Sequence, residues 1–338
     1  MTSGKKILYC VLNWGLGHAT RSEVYIRQLL QENEVILASD GVAKRYLEKV
    51  FPELQILEMP SYNIKYGNTL WSTRVLLLWK SMLHSPYYKR EQEWVSEQSG
   101  KFGIEEIISD GRLGAFCKGI PSAYMTHQLQ MQSGMPMLDI FINYMHRRFM
   151  RKFDLILIPD YADRTKALAG DLSLVPRSMA EKCVYVEPLS RLTNLERGEG
   201  NTILCICSGP EPQRSILEEA FIEISTELPE LDMVLIRGKE NGKIFSSGKL
   251  QIIDLADGQE MRKALASSAL VLVRSGYSSI MDLKMAAIEN VIWIPTPGQG
   301  EQEYLGKYLA KKKWGLCIEQ KGNWKHKLRE AIRRGRAI

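Results

Sequence analysis

The 338-residue sequence has no apolar run near the roughly 20 residues that a bilayer-spanning helix requires. Its longest aliphatic pieces, 75–79 and 155–158, are of strand or core length. It also lacks any CxxC spacing. Cys10, Cys117, Cys183, Cys205, Cys207 and Cys317 stand apart, several in apolar strand-like runs. That excludes a disulfide framework and a zinc ribbon, and suits buried thiols in a reducing cytoplasm. The five histidines show no metal-ligand spacing with Cys or Asp, so neither a metal nor a resident cofactor is expected. GxxxxGK[ST] and GxSxG are both missing, which removes P-loop and nucleophile-elbow chemistry. The start, MTSGKKILYCVLNWG, runs directly into a strand-and-glycine pattern without a signal-peptide cleavage site, so a cytoplasmic protein is expected.

Charge of one sign is scarce everywhere except at the end. Lys and Arg exceed Asp and Glu by six, and residues 321–338 hold seven basic residues against one acid. The whole surplus therefore sits in one terminal segment, expected to be a helix over about 323–335. The rest of the chain is balanced, which argues against a nucleic-acid binder.

Apolar strand-length runs alternate with helical patterns nearly throughout. Lys6–Leu12, Glu34–Ala38, Ile56–Met59, Ile120–Thr126 and Leu155–Ile158 read as strands, with another inside Phe102–Ser109. Thr20–Gln31 and Val42–Val50 read as helices between them. Such alternation specifies an α/β fold with a parallel sheet covered by helices. The pattern loosens through the Pro-containing stretch 171–191 and the polar stretch 193–200, then resumes at Thr202. The expected organisation is an N-terminal domain, 1–190, and a C-terminal domain, 200–338. Two such Rossmann-like domains imply a cleft between them.

Asn13-Trp14-Gly15-Leu16-Gly17-His18-Ala19-Thr20-Arg21 follows the first strand and opens the first helix. Gly15 and Gly17 allow close backbone approach to a ligand, and the helix start offers unpaired N–H groups. The third glycine of a dinucleotide fingerprint is missing. A histidine there suits proton abstraction near neutral pH, and such a base needs an orienting carboxylate. Asp110, at the end of a later strand, is the candidate orienter. His127 also ends a strand and could bind substrate or take the base role instead. Helix-start packing for His18 and a plain turn for Asp110 before Gly111 fit the same residues. His84, His146 and His326 read as surface residues. With the loop glycines, Arg21, Arg112 and His127 complete the candidate acceptor site.

In the second half, four strand–loop–helix junctions stand out. Ser208-Gly209 with Arg214 suits a diphosphate, although a plain turn fits as well. Arg237 could add positive charge. Arg274-Ser275-Gly276-Tyr277-Ser278 combines a glycine, hydroxyls and helix N-terminal amides, which is anion-site chemistry. Asp282, one turn along, could accept both hydroxyls of a ribose. Glu301 and Gln302 could reach sugar hydroxyls.

Taken together, Gly15–Arg21, Arg274–Asp282 and Pro295–Gln302 resemble a GT-B glycosyltransferase. The resemblance is to the family containing the bacterial enzyme that adds N-acetylglucosamine to lipid I, and it implies an acceptor-binding N-terminal domain, 1–190, a nucleotide-sugar-binding C-terminal domain, 200–338, and a last helix, about 323–335, that could pack back on the N-terminal domain. It implies that Ser275, Gly276 and Ser278 lie near the diphosphate of a UDP-sugar, Asp282 near ribose and Gln302 near the donor sugar. Backbone at Leu255 and Ala256 would contact the base. The implied reaction is metal-independent and inverting, from a UDP-sugar such as UDP-N-acetylglucosamine to an acceptor hydroxyl on a lipid-linked or cell-envelope glycan. His18 would be the base, with Asp110 behind it. A nucleotide-sugar hydrolase or epimerase on the same fold is the alternative, and a non-catalytic nucleotide-sugar binder a third. Two segments, 64–94 and 135–153, interleave aromatics with Lys and Arg. They read as amphipathic helices over the sheet or as contacts with an anionic membrane at its inner face.

Overall fold

The computed structural model describes residues 4–61, 85–132, 135–198, 200–209, 211–238 and 244–335. The chain divides into two units, Met1–Arg191 and Leu192–Ile338.

In the N-terminal unit the strands are β1 (Lys6–Val11), β2 (Glu34–Ser39), β3 (Ile56–Glu58), β4 (Glu106–Asp110), β5 (Ser122–Met125), β6 (Leu155–Ile158) and β7 (Cys183–Tyr185). They form one parallel sheet in the order β3-β2-β1-β4-β5-β6-β7. Both faces of β1 are covered, so it reads as a continuous apolar run rather than an alternating one. Ile7, Tyr9 and Val11 pack with Ala19 and Ile26 of α1 (Leu16–Leu29) and Leu47 of α2 (Gly41–Val50). Leu8 and Cys10 face the other way, against Val95 of α3 (Ser85–Phe102). Helix α1 starts four residues before the expected Thr20, so His18 lies inside its first turn. Helix α4 (Pro136–Met150) turns Asn143, His146 and Met150 inward and leaves Met137, Ile140, Phe141 and Tyr144 exposed. His146, read from sequence as a surface residue, is buried against Tyr124. His84, and Lys65, Tyr66, Trp71, Arg74, Trp79 and Lys80 of the first aromatic segment, lie outside the described residues.

The C-terminal unit carries β8 (Thr202–Ile206), β9 (Met233–Ile236), β10 (Ile244–Ser247), β11 (Leu250–Ile253), β12 (Ser268–Val273), β13 (Val291–Trp293) and β14 (Leu316–Cys317). Their order is β10-β11-β9-β8-β12-β13-β14, parallel except for β10 on β11. Helices α5 (Gln213–Glu227), α6 (Gly258–Ala266), α7 (Tyr277–Met285), α8 (Gly300–Lys311) and α9 (Trp324–Arg334) connect and flank the strands. Asp257 caps α6 through a reciprocal capping box with Glu260. By contrast, the N-cap residues of α5 and α7, Pro212 and Gly276, make no side-chain cap, and neither helix has an acid in its first turn.

The apolar face of the last helix, Leu328, Ala331 and Ile332, enters the C-terminal core beside Leu217, Phe221 and Ile224 of α5. Lys325 pairs with Glu223 at 2.6 Å and Arg329 with Glu227 at 2.9 Å. Part of the terminal charge surplus is therefore matched by acids on α5.

Candidate active site

Among the parallel strands of each sheet the order reverses once, between β1 and β4 and between β8 and β12. Open α/β sheets bind ligands beyond the carboxyl ends of strands at such reversals. The segments Gly15–Arg21, Asp110–Arg112, Ser208–Arg214 and Arg274–Asp282 end or follow the strands at these two places, while His127, Arg237, Leu255, Ala256, Glu301 and Gln302 follow neighbouring strands.

In the N-terminal unit the chain leaves β1 at Leu12, whose N–H donates to the Asp110 carbonyl at 3.0 Å. That bond ties the first loop to the end of β4. Gly15 caps α1 with φ 75° and ψ −172°, a conformation that a side chain would strain. His18, Arg21 and Ser22 then share one helix face by their i, i+3, i+4 spacing, and all three meet Asp110. His18 Nδ1 is 2.8 Å from Asp110 Oδ1. Arg21 Nε donates to Oδ2 at 2.8 Å, and its Nη2 donates to Oδ1. Ser22 Oγ donates to Oδ2 at 2.7 Å and accepts from the Tyr9 hydroxyl at 3.4 Å. His127, at the end of β5, places Nδ1 3.4 Å from Arg21 Nη1. The structure thus assembles His18, Asp110, Arg21 and His127 into one cluster. Ser22 and Tyr9 were missed in the sequence, although the i+4 spacing from His18 to Ser22 was a readable signal.

Asp110 is fully buried, which opposes its ionisation. The charges of Arg21 and His18 and the hydrogen bonds from both overcome this and hold the carboxyl below the usual carboxylate range. Burial pushes the His18 imidazole pKa down, and the Arg21 charge pushes the same way against the pull of Asp110. His18 is therefore a neutral imidazole at pH 7, the state a general base needs. Its side chain remains 21% exposed.

Arg112 does not fit the expected acceptor role. It is fully buried and its guanidinium is taken up by protein groups. It pairs with Asp40, with Glu91 at 2.9 Å, with the Val11 carbonyl at 3.0 Å and with the Pro60 carbonyl at 3.2 Å. Asp40 in turn accepts from Asn13 Nδ2 at 3.2 Å. Arg112 thus braces the glycine loop from behind; a buried cation needs such partners.

In the C-terminal unit the expected nucleotide-sugar residues separate into two groups. Four have their side chains engaged by protein groups. Arg274 is buried and donates to the Ile294, Pro295 and Gln213 carbonyls and to Gln320. Burial without an acidic partner lowers its pKa to about 10. Arg237 is held by Glu218 at 2.7 Å and Asp254 at 2.8 Å, and Arg214 by Glu211 at 2.6 Å and the Gly238 carbonyl at 2.9 Å. Ser275 is buried and donates to the Gln302 carbonyl at 2.7 Å. These residues shape the loops; long polar side chains in sequence could not reveal that neighbouring carboxylates and carbonyls would absorb them.

The remaining expected residues stay on the strand-end loops. Ser208, Gly276, Ser278, Ala256, Asp282, Glu301 and Gln302 are half-buried, while Gly209 and Leu255 are exposed. Gln302 Oε1 accepts from Thr296 N–H at 3.0 Å, fixing the loop before α8. The start of α5 holds the Glu211 carboxylate, which accepts from Ser215 N–H at 3.2 Å and from its hydroxyl at 2.8 Å; the start of α7 borders the same edge, where a helix dipole favours an anion. Among the described residues, no group of three or more His, Cys, Asp or Glu could hold a metal ion.

Comparison with known proteins follows this division. Residues 5–121 match the model of glycosyl transferase family 1, and residues 215–337 match the glycosyltransferase family 28 C-terminal domain. The chain is 25% identical over 195 residues to the UDP-N-acetylglucosamine–N-acetylmuramyl-(pentapeptide) pyrophosphoryl-undecaprenol N-acetylglucosamine transferase of Sulfurihydrogenibium sp. (strain YO3AOP1). That match covers 56% of this chain and 51% of the relative, so it spans about half the relative's length. Among solved structures, the glycosyltransferase of kitacinnamycin is similar at 13% identity and TM-score 0.68, over 98% of this chain and 90% of that one. The Acinetobacter baumannii MurG structure is similar at 14% identity and TM-score 0.62, over 98% and 90%. Spinosyn rhamnosyltransferase SpnG, complexed with thymidine diphosphate, is similar at 13% identity and TM-score 0.64, over 98% and 91%.

The chain has the GT-B fold, and two glycosyltransferase family models match separate parts of it, one in each unit.

Proposed function

We propose that the protein transfers a sugar from a nucleoside-diphosphate sugar, a UDP-sugar in the first instance, to an acceptor hydroxyl with inversion at the anomeric carbon. The observation that carries this reading is the His18–Asp110 contact at 2.8 Å, on a buried carboxylate already fixed by Arg21 and Ser22. His18 Nε2 takes the acceptor proton as the acceptor oxygen bonds to the anomeric carbon. The bond from that carbon to the diphosphate breaks, and its electron pair leaves on the phosphate oxygen. The N-terminus of α7, with the backbone of Gly209 and Gly276, receives the negative charge. Asp282 and Gln302 hold ribose and donor sugar. The reaction is written without a metal ion.

The test begins with donors. UDP-N-acetylglucosamine, other UDP-sugars and thymidine-diphosphate sugars are compared by thermal shift; a ligand at 100 times its Kd stabilises by about 2.7 kcal/mol. The stabilising donor is then offered with hydroxyl acceptors, including polyprenyl-diphosphate sugars. Sugar release at full rate with no acceptor would replace transfer by hydrolysis.

We further propose that α4 faces an anionic membrane carrying a lipid-linked acceptor. Met137, Ile140, Phe141 and Tyr144 form an exposed apolar stripe, followed on the helix and just beyond it by exposed Arg148, Arg151 and Lys152. Apolar penetration with flanking cations is the chemistry of an interfacial helix. Among the described residues no helix is long and apolar enough to cross a membrane. In sedimentation with phosphatidylglycerol vesicles, a Met137→Ser/Ile140→Ser double variant should bind more weakly than wild type. Equal binding would remove α4 from the contact.

A further inference from the structure

The loop after β5 carries His127 and Gln128, and each backbone N–H from Gln128 to Met131 has a named acceptor. Gln128 N–H donates to Thr126 Oγ1 at 3.1 Å. Leu129 and Gln130 N–H both donate to the Leu172 carbonyl, at 2.7 and 3.0 Å. Leu172 lies in the short turn Gly170–Ser173, which Asp160 holds by accepting from Leu168 N–H at 2.8 Å, Ala169 N–H at 3.1 Å and the Ser173 hydroxyl at 2.7 Å. Met131 is bound differently, by a side chain of α4 twelve positions further along the chain. Its N–H donates to Asn143 Oδ1 at 2.7 Å, and Asn143 Nδ2 donates back to its carbonyl at 2.9 Å.

Backbone donors and acceptors withdrawn from water need partners. A side-chain amide carries one acceptor oxygen and one donor nitrogen, so Asn143 serves both groups of Met131 as a neighbouring strand would. An aspartate would keep only the acceptor, and an alanine neither. Asn143 is buried and turns inward with His146 and Met150. Met150 belongs to the same apolar cluster as Leu129. The loop is therefore carried on the inner face of α4 by a double hydrogen bond and by apolar packing. The other face of this helix bears the exposed stripe Met137, Ile140, Phe141 and Tyr144.

We infer that Asn143 is a positioning residue for the acceptor, because it seats the loop bearing His127 and Gln128 on α4. His127 Nδ1 lies 3.4 Å from Arg21 Nη1, and Arg21 stands on Asp110. The helix proposed to meet the membrane thus also sets the place of the loop beside the proposed base. The role in acceptor binding rests on the transfer reaction proposed above; the seating of the loop does not.

The experiment uses the full chain and the variants Asn143→Ala and Asn143→Asp. Amide hydrogen exchange, followed residue by residue by nuclear magnetic resonance, reads the seating without any ligand. In wild type, Met131 should be protected as Leu129 and Gln130 are. An unprotected Met131 there would overturn the seating, whether or not a variant folds. In Asn143→Ala, Met131 should exchange about 10-fold faster, the equivalent of one lost hydrogen bond. Leu129 and Gln130 should keep their protection, and Asn143→Asp should fall between alanine and wild type. Unchanged Met131 exchange in a folded alanine variant would also overturn the seating.

Transfer kinetics then read the role. Asn143→Ala should raise the acceptor KM and lower kcat/KM for the acceptor by about 10-fold, since small misplacements are costly. The donor KM and sedimentation with phosphatidylglycerol vesicles should stay as in wild type. Unchanged acceptor constants beside fast Met131 exchange would overturn the positioning role. Weaker vesicle binding together with the slower rate would mean that α4 itself had moved, and would overturn a role confined to the loop. The expected exchange pattern in a protein without transferase activity would sink the proposed function and the acceptor role with it, and leave the seating standing.

Discussion

Gly111 lies against the ring of His18. A Cβ placed on Gly111 would stand 2.8 Å from His18 Cε1 and 3.0 Å from Leu12 Cδ2, and the backbone there has φ 81°. The residue after Asp110 is therefore also a wall against the ring of the proposed base. Gly111→Ala should displace the ring and strain the turn together. Its expected signature is a fall in transfer rate of roughly 10-fold or more, since small misplacements are costly in catalysis. Donor-induced thermal shift, which reports the C-terminal unit, should be unchanged. An unaltered rate in the alanine variant would show that the ring has room to move.

His18→Ala removes the proposed base while leaving Arg21 and Ser22 on Asp110. Transfer should drop by about 10²- to 10⁴-fold, the usual range for a general base. Nucleotide-sugar binding should be retained. Full turnover by the alanine variant, measured as released nucleoside diphosphate, would exclude His18 as the base.

Arg112→Gln tests the correction to the acceptor site. Asp40 and Glu91 are both buried and pair with this guanidinium. Removing one partner of a buried ion pair typically costs about 3–5 kcal/mol. The variant should lose thermal stability broadly, because its partners come from α3, the ends of β1 and β3 and the start of α2. A variant with unchanged melting and only a raised acceptor KM would restore the contact role.

His146 fixes the direction of the acid response. Burial, with the charge of Arg147 behind it, lowers its pKa to about 4, and its Nδ1 has no hydrogen-bond partner. The folded pKa lies below the unfolded value of about 6.5. The neutral ring therefore contributes stability that is fully present above pH 6.5 and is lost as pH falls toward 4. Burial of His18 adds in the same sense. Asp110 acts at lower pH: its depressed pKa contributes stability present above about 3.9 and lost only below that. Melting temperature should thus decline between pH 6.5 and 4. His146→Leu should flatten part of that decline, by an amount on the order of 3 kcal/mol at pH 4. An identical pH profile in the leucine variant would mean that His146 does not drive it.

Much of the fold was legible because its signal is local. Val, Ile and Leu runs such as Ile7–Val11 and Leu270–Val273 are continuous where both sheet faces are covered. Glycine loops mark where strands give way to helices. The antiparallel edge strand β10 was missed, as short edge strands carry little pattern. His146 was misjudged because the polar residues around it on α4 hid which face turns inward.

The sequence by itself determined the α/β class, the chain position of both units, and the His18–Arg21 loop at the end of β1. Those follow from periodicity and from residues near one another in the chain. Only the tertiary structure decided which polar residues are available for chemistry. Asp110 reaches His18 and Arg21 across roughly 90 positions of sequence, and Arg112 and Arg274 are enclosed by carbonyls, carboxylates and amides from distant strands. A guanidinium reads the same in sequence whether it faces a ligand or a buried acid. What separates the two is desolvation and the identity of its neighbours, and both are set by packing.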